Sequence, residues 1–234
     1  MNIFYAPTAV INQYCALDET ESRHIVTVLR KKTGDELHLF DGKGNLFSAR
    51  IDAIGKKEVN LHVTALLKSE PCASPALHIA IAAPKNMERL EWFCEKATEI
   101  GVNEITPLLC EHSERKEVRN DRLEKILLSA SKQSLKLNLP VLHPMVKFYH
   151  FVAEQKNRHQ KLIAYCDEKA IHIQNVLTKN TDALVVIGPE GDFSKEEIQM
   201  ATQNGFRTVS LGKSRLRLET AGIFAAAVFN LVNE

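Results

Sequence analysis

No stretch of the sequence approaches the roughly 18 consecutive apolar residues of a membrane span. The opening residues, MNIFYAPTAV, hold no basic segment ahead of an apolar one. Neither a membrane-spanning protein nor a secretory leader is therefore expected, and a cytoplasmic location is. Cysteine is sparse. Cys15, Cys72, Cys94, Cys110 and Cys166 are odd in number and scattered, with no C-x-x-C pair. That pattern fits free thiols in a reducing compartment and excludes a disulfide framework. The nine histidines do not cluster with the cysteines, so no metal site is expected. Charge of one sign is lacking too: the formal net charge is +1, which neither demands nor excludes a nucleic-acid partner. Two phosphate-binding signatures, G-x-x-x-x-G-K-[ST] and G-x-G-x-x-G, are missing. A nucleotide held chiefly by its phosphates is thereby excluded. There is no internal repeat and no low-complexity segment.

What is present reads as two globular parts within 234 residues, long enough for a core in each. Residues 1–70 are β-rich. DELHLFDGKGNLFSARIDAIG places two apolar, partly alternating runs around Asp41-Gly42-Lys43-Gly44-Asn45, a hairpin signal, and EVNLHVTALL alternates with period two. ETESRHIVTVLRKKTGD predicts a helix closing one end. A small barrel or sandwich is expected. KSEPCASPAL, with two prolines, two serines and no periodicity, predicts a linker near 69–75.

Residues 71–234 then alternate between strands and helices. LHIAIAAPK, EITPLLC, KLIAYCDE, DALVVIG and FRTVSLG predict strands. MERLEWFCEKATEIG, DRLEKILLSASKQSLK, the short IHIQNVLTK, SKEEIQMATQNG and ETAGIFAAAVFNLVN predict helices. In the fourth, Ser194 and Glu197 stand at capping-box spacing and Gly205 marks the end. Such alternation predicts an α/β fold with a mostly parallel sheet. The last helix is apolar on nearly every face, with Ile223, Phe224, Val228, Phe229, Leu231 and Val232, and so must be buried all round. Packing on a second subunit is one way to achieve that.

Two loops carry the chemistry. IGPEGDFSKEEI puts Gly188, Pro189, Glu190 and Gly191 at a strand's carboxyl end, where open α/β sheets hold ligands. Glycine lets backbone approach a ligand and proline stiffens the turn, which suits reading the edge of a flat heterocycle; a plain strand-to-helix turn is the alternative. VSLGKSRLRLETAG also starts at a strand end. Its Lys213, Arg215 and Arg217 suit an anionic partner such as a phosphate backbone, and a solvated face is the alternative. Glu219 and Thr220 suit a helix start. A second basic group, Arg23, Arg30, Lys31 and Lys32, falls within ten residues of the first part and predicts a face that docks on phosphates.

Together, IGPEGDFSKEEI and VSLGKSRLRLETAG resemble the signature of the bacterial 16S ribosomal RNA uridine-N3 methyltransferases of the SPOUT superfamily. The resemblance runs through HIVTVLR, LFDGKGNLFSARI, PKNMERLEWFCEKATEIGVNEITPLLCEHSERK and SASKQSLKLNLP, essentially the whole chain. It implies a PUA-like RNA-binding β-barrel over 1–70 and a SPOUT methyltransferase domain over 71–234 with a C-terminal trefoil knot. It further implies an S-adenosylmethionine cofactor, a homodimer with sites near the subunit interface, and ribosomal RNA of the small subunit as partner.

Carried over by motif, the cofactor would lie against Gly188, Pro189, Glu190 and Gly191, against Leu211 and Gly212, and against Leu216, Arg217 and Leu218. Tyr165, Cys166 and Asp167 would form the remaining wall. The chain departs from the family pattern at Asp192, Leu218 and Lys136. Methyl transfer to N3 of uridine needs loss of a weakly acidic proton. A cation near the uracil oxygens would stabilise the developing charge, and Arg217 is assigned that role. No general base is named; Glu190 is nearest, and a carboxylate holding the loop is its alternative role. The uridine must be drawn out of any stack to react. Two other functions are carried alongside: a non-catalytic RNA-binding module, and a SPOUT methyltransferase acting on transfer RNA.

Overall fold

The computed structural model describes residues 2–155, 160–166 and 170–234, and the chain divides into two compact units. The first comprises Met1–Cys72 and Ser131–Leu139, the second Ala73–Ala130 and Pro140–Glu234.

The first unit contains β1 (Ile3–Tyr5), β2 (Tyr14–Ala16), α1 (Glu19–Arg23) running into a π-helical turn at His24–Val28, β3 (Glu36–Phe40), β4 (Asn45–Ile54) and β5 (Val59–Ser69). They form one five-stranded sheet in the order β1-β3-β4-β5-β2, antiparallel except for the β1–β3 pair. The expected hairpin is β3–β4. Asp41 builds its turn: Oδ1 accepts from Lys43 N at 2.7 Å and Asn45 N at 3.0 Å. Alternate residues, among them Leu37, Leu39, Ala49, Ile51, Leu61 and Val63, face one shared core.

Residues 131–139, assigned from sequence to the second part, group with the first unit. Backbone hydrogen bonds explain this: Gly44 N to Leu137 O at 3.1 Å, and Leu139 N to Gly42 O at 3.0 Å. An ion pair joins Lys132 to Glu21. Lys136, one of the departures from the family pattern, therefore belongs to the first unit.

The second unit contains, in chain order, β6 (Leu77–Ala82), α2 (Met87–Ile100), β7 (Glu104–Leu109), α3 (Asn120–Ser134, whose last turn belongs to the first unit), β8 (Val141–Leu142), β9 (Val146–Lys147) and α4 (Phe148–Glu154). Then follow β10 (Gln160–Ala164), β11 (Ile171–His172), β12 (Ala183–Ile187), α5 (Lys195–Gln203), β13 (Arg207–Ser210) and α6 (Leu218–Asn233). The strands pair in parallel in the order β11-β13-β10-β12-β6-β7-β8, with β9 also on β7. Period-two geometry sends Ile79, Ile81, Val185 and Ile187 into one core, and Ala80, Ala82, Leu184 and Val186 into another on the opposite face.

Two expectations need correction. IHIQNVLTK forms no α-helix: Ile171 and His172 pair with β13, and only Ile173–Asn175 coil, as a 3-10 turn. Nor is α6 buried all round: Ile223, Phe224 and Val232 are half-buried and Ala227 is exposed, although the rest of its apolar surface is enclosed by its own chain. Phe229 is 3% exposed, and Val228 is buried beside it in the core that holds Ile79 and Val185. The helix is covered by α2, β6, β12 and the 3-10 turn together. Only Leu231, at 64%, stands out among its large apolar residues. Among the described residues, no helix is long and apolar enough to cross a membrane.

Candidate functional site

The three segments singled out from sequence leave three neighbouring strands at the same end. β10 lies between β12 and β13, with Ala164 level with Ile187 on one side and Val209 on the other. Beyond those residues come Tyr165-Cys166, Gly188-Pro189-Glu190-Gly191, and Leu211 to Arg217. All three strands are parallel, so their carboxyl ends form one edge, where such sheets bind ligands. Tyr165 is half-buried and its N–H reaches Val209 O at 3.1 Å; Cys166 is exposed. Asp167 lies outside the described residues.

The Gly-Pro-Glu-Gly loop is fastened from three directions. Arg89 Nη1 on α2 sits 2.9 Å from Glu190 Oε1. Arg215 Nη2 donates to Glu190 O at 3.2 Å. His112 Nδ1 lies 2.9 Å from Asp192 O. That last contact, together with the carboxylates of Glu111 and Glu197, raises the His112 pKa above its usual value despite the opposing effect of desolvation. A Cβ on Gly188 would lie 2.9 Å from the Phe193 ring, so glycine is required there by its neighbour. The loop ends in the expected capping box, which does more than start α5. Buried Glu197 accepts from Ser194 N at 3.0 Å and also from Glu111 N at 2.9 Å, locking the segment after β7 to the same loop.

In the other loop Gly212 has φ +120° and open space around it, so its backbone shape, not crowding, demands glycine. Leu211 and Leu216 pack on the core and Leu218 is buried, while Lys213, Arg215 and Arg217 are exposed. Arg217 occupies the N-cap position of α6 without a side-chain cap bond. Two residues on, Glu219 is buried at 9% exposure, and its Oε2 has no hydrogen-bond partner among the described residues. A carboxylate so placed is costly unless a donor or cation meets it.

Sequence reasoning missed Arg89, His112 and Arg115. Arg115 donates to Pro84 O at 3.3 Å and Lys85 O at 2.9 Å, tying the loops after β6 and β7 together. It lines two cavities there, one of about 430 Å³ with Lys85, Glu114, Lys116 and Glu117, the other of about 210 Å³ reaching Arg119 and Arg122. Neither is lined by an expected cofactor residue. Strand adjacency, and not either cavity, brings the expected cofactor residues together. The signal for His112 and Arg115 was the charged run EHSERKEVR directly after a buried strand; Arg89 had none.

Of the other basic residues, Arg23, Arg30 and Lys32 are exposed and Lys31 half-buried, grouped on α1, the π-helical turn and the bend that follows. The thiols of Cys94 and Cys110 are pushed up by burial, the first to about 12, so neither offers a thiolate at neutral pH.

A family model for the RNA methyltransferase domain matches residues 72–230, and one for the RNA methyltransferase PUA domain matches residues 17–64. The ribosomal RNA small subunit methyltransferase E of Rickettsia conorii is 30% identical over 215 residues, covering 89% of this chain and 86% of that protein. A solved Porphyromonas gingivalis structure, described as a probable rRNA-methyltransferase, superposes with a TM-score of 0.92 at 40% identity, covering 100% of this chain and 98% of that one. A Legionella pneumophila protein described as a methyltransferase, solved with bound SAM, gives a TM-score of 0.88 at 31% identity, covering 99% and 97%.

Proposed function

This chain belongs to the RNA methyltransferase family, and we propose that it transfers a methyl group from S-adenosylmethionine to N3 of a uridine in 16S ribosomal RNA. One observation carries the assignment within the molecule. Three loops, two of them turning at glycine, emerge side by side from β10, β12 and β13. That edge offers backbone to the flat adenine and a buried carboxylate to a cation. The residues present fit the cofactor: it bears a sulfonium and an ammonium, and Glu219 Oε2 lacks a partner in the described residues. When bound, S-adenosylmethionine supplies an electrophilic methyl on a positively charged sulfur.

The chain's own residues then have distinct tasks. Gly188 to Gly191, Leu211, Gly212 and Leu216 to Leu218 line the cofactor, with Tyr165, Cys166 and Asp167 opposite. Glu190 is a strut rather than a base, because its carboxylate is already committed to Arg89 at 2.9 Å. Arg217, exposed at the N-cap of α6 and making no side-chain cap bond, faces the charge that develops on the uracil oxygens once N3 loses its proton. Lys213 and Arg215 meet the RNA backbone beside it, and Arg23, Arg30, Lys31 and Lys32 meet it from the first unit.

With this function go a PUA-like β-barrel over 1–70, a SPOUT domain over 71–234 that lends 131–139 to the first unit and whose C-terminal segment forms a trefoil knot, and a homodimer working in the cytoplasm. The parallel sheet and the two family matches support the assignment; α6 does not supply the apolar argument for the dimer. The deciding experiment is nucleoside mass spectrometry of 16S ribosomal RNA from a deletion strain. N3-methyluridine should vanish and return with the gene. Loss of the mark from transfer RNA instead, or an unchanged 16S profile, would overturn the assignment.

A further inference from the structure

Three donors that are distant in sequence meet at the opposite ends of the strands. His78 is the second residue of β6 and Glu104 the first of β7, and the two are register partners. Glu104 is in turn level with Val141 of β8, and His143 follows two residues later, its N–H bonded to Ile105 O at 2.9 Å. Cross-strand pairing plus period-two alternation therefore brings three side chains together on one face. Glu104 Oε2 lies 2.9 Å from His143 Nε2 and 3.7 Å from His78 Nδ1. Donor atoms of all three residues fall within 4.8 Å of one another.

Those separations bracket a known geometry. Metal–nitrogen and metal–oxygen bonds of about 2.0–2.1 Å in a tetrahedron put neighbouring donors about 3.3 Å apart. Small rotations of the half-exposed His143 and of the partly exposed Glu104 carboxylate would bring the set to that spacing. The surroundings match those of a ligating histidine. His78 is 3% exposed, Phe151 meets its ring edge-on, and its Nε2 lies 2.8 Å from Thr106 Oγ1. A bond from one ring nitrogen to an outer partner fixes the tautomer that turns the other toward a metal. The side chains of Glu104 and His143 are 21% and 39% exposed, so water has access to a fourth position.

We propose that His78, Glu104 and His143 bind one divalent transition-metal ion, zinc by donor set, which pins β8 to β6 and β7. Imidazole and carboxylate together select zinc over the harder calcium and magnesium. No short ligand spacing joins the three residues, which is why no metal site was expected; the register of three parallel strands assembles them. The site stands apart from the loops after β10, β12 and β13, so it does not depend on the proposed activity.

The test uses tag-free, full-length protein dialysed against zinc, with metal content measured by plasma mass spectrometry. One equivalent per chain should bind, and the thermal midpoint should rise with zinc. Cobalt in place of zinc should give the visible absorption of a four-coordinate ion. Cys72→Ser/Cys166→Ser should keep the equivalent. His143→Ala, chosen because that side chain is half-exposed and circular dichroism can verify its fold, should lose it. Glu104→Gln should weaken uptake at least ten-fold. Absence of uptake by the parent protein, or uptake that persists unchanged in folded His143→Ala, overturns the proposal.

Discussion

Arg89 Nη1 and Glu190 Oε1 stand 2.9 Å apart, joining the first helix of the methyltransferase unit to the loop after β12 across 101 residues of sequence. Both side chains are partly exposed, so the pair adds little to global stability, about 0–1 kcal/mol. Its effect is local, and in the proposed function the same loop presents backbone to the cofactor. Arg89→Ala should lower S-adenosylmethionine affinity roughly two- to five-fold, the range such a pair allows, with the melting temperature nearly unchanged. A double-mutant cycle with Glu190→Gln, read by calorimetric titration, should show the two losses to be less than additive. Strict additivity would mean that the contact does not hold the loop.

The two site glycines should fail for different reasons. Gly188→Ala drives a methyl into the Phe193 ring 2.9 Å away, so both stability and cofactor binding should fall, and Phe193→Leu should partly restore them by making room. Gly212→Ala meets no atom within 4 Å but must hold φ +120°, at a cost of about 1–3 kcal/mol. Binding should weaken there with no rescue from any neighbour. Thermal melts and titrations on the three variants separate the two cases; rescue of Gly212→Ala by a trimmed neighbour would contradict the backbone explanation.

Phe229 belongs to its own chain's core, so Phe229→Asp should unfold the unit rather than split a dimer. Burying that carboxylate costs several kcal/mol, comparable with the whole stability of many domains. Leu231→Asp, at a site 64% exposed, should leave the melting temperature within a few degrees of the parent. Analytical ultracentrifugation of that second variant asks whether α6 touches a partner. A folded, soluble Phe229→Asp protein would show that the ring is not needed inside.

Local features were legible in the sequence, and long-range ones were not. The Asp41 turn and the Ser194–Glu197 capping box involve residues two to four apart, and their hydrogen bonds follow from residue type and spacing. The strand-end loops were legible because glycine and proline punctuate buried runs. By contrast Arg89–Glu190 and Glu111–Glu197 span 101 and 86 residues, and no periodicity encodes such pairs. The transfer of 131–139 to the first unit rests on backbone bonds to Gly42 and Gly44, which carry no side-chain signature. The apolar pattern of α6 predicted burial on every face, but only part of that holds within the chain: α2 and the sheet cover Val228 and Phe229, while Ile223, Phe224 and Val232 are half-buried and Leu231 is exposed.

His112 supplies a pH dependence with a definite sign. Its folded pKa is raised, chiefly by the Asp192 carbonyl at 2.9 Å. A raised value means that the stabilisation is fully present below the unfolded value of about 6.5 and is lost as pH rises through the folded value. The loop should therefore loosen on the alkaline side, and S-adenosylmethionine affinity should decline there. His112→Phe should flatten that decline. An NMR titration placing the His112 midpoint below 6.5 would reverse the sign and refute the latch.

Arg217 carries the chemical prediction. It caps α6 through its backbone, whose carbonyl accepts from Ala221 N at 2.8 Å, while its side chain is exposed and makes no capping hydrogen bond. Arg217→Lys keeps the charge but shortens and reshapes the donor; Arg217→Ala removes both. If the guanidinium stabilises negative charge on the uracil oxygens, Arg217→Ala should slow single-turnover methylation about 10²–10³-fold, the scale for one lost oxyanion donor. Arg217→Lys should fall between that and the parent, since an ammonium supplies charge without the planar fork. The melting temperature should hold, because the cap uses backbone. Cofactor affinity should change far less than rate, since the interaction strengthens only as charge develops. Rapid-quench assays with 16S ribosomal RNA, run beside calorimetry on the same proteins, measure both. Equal losses in rate and in cofactor affinity would make Arg217 a binding residue and leave the charge on the uracil without a partner in this chain.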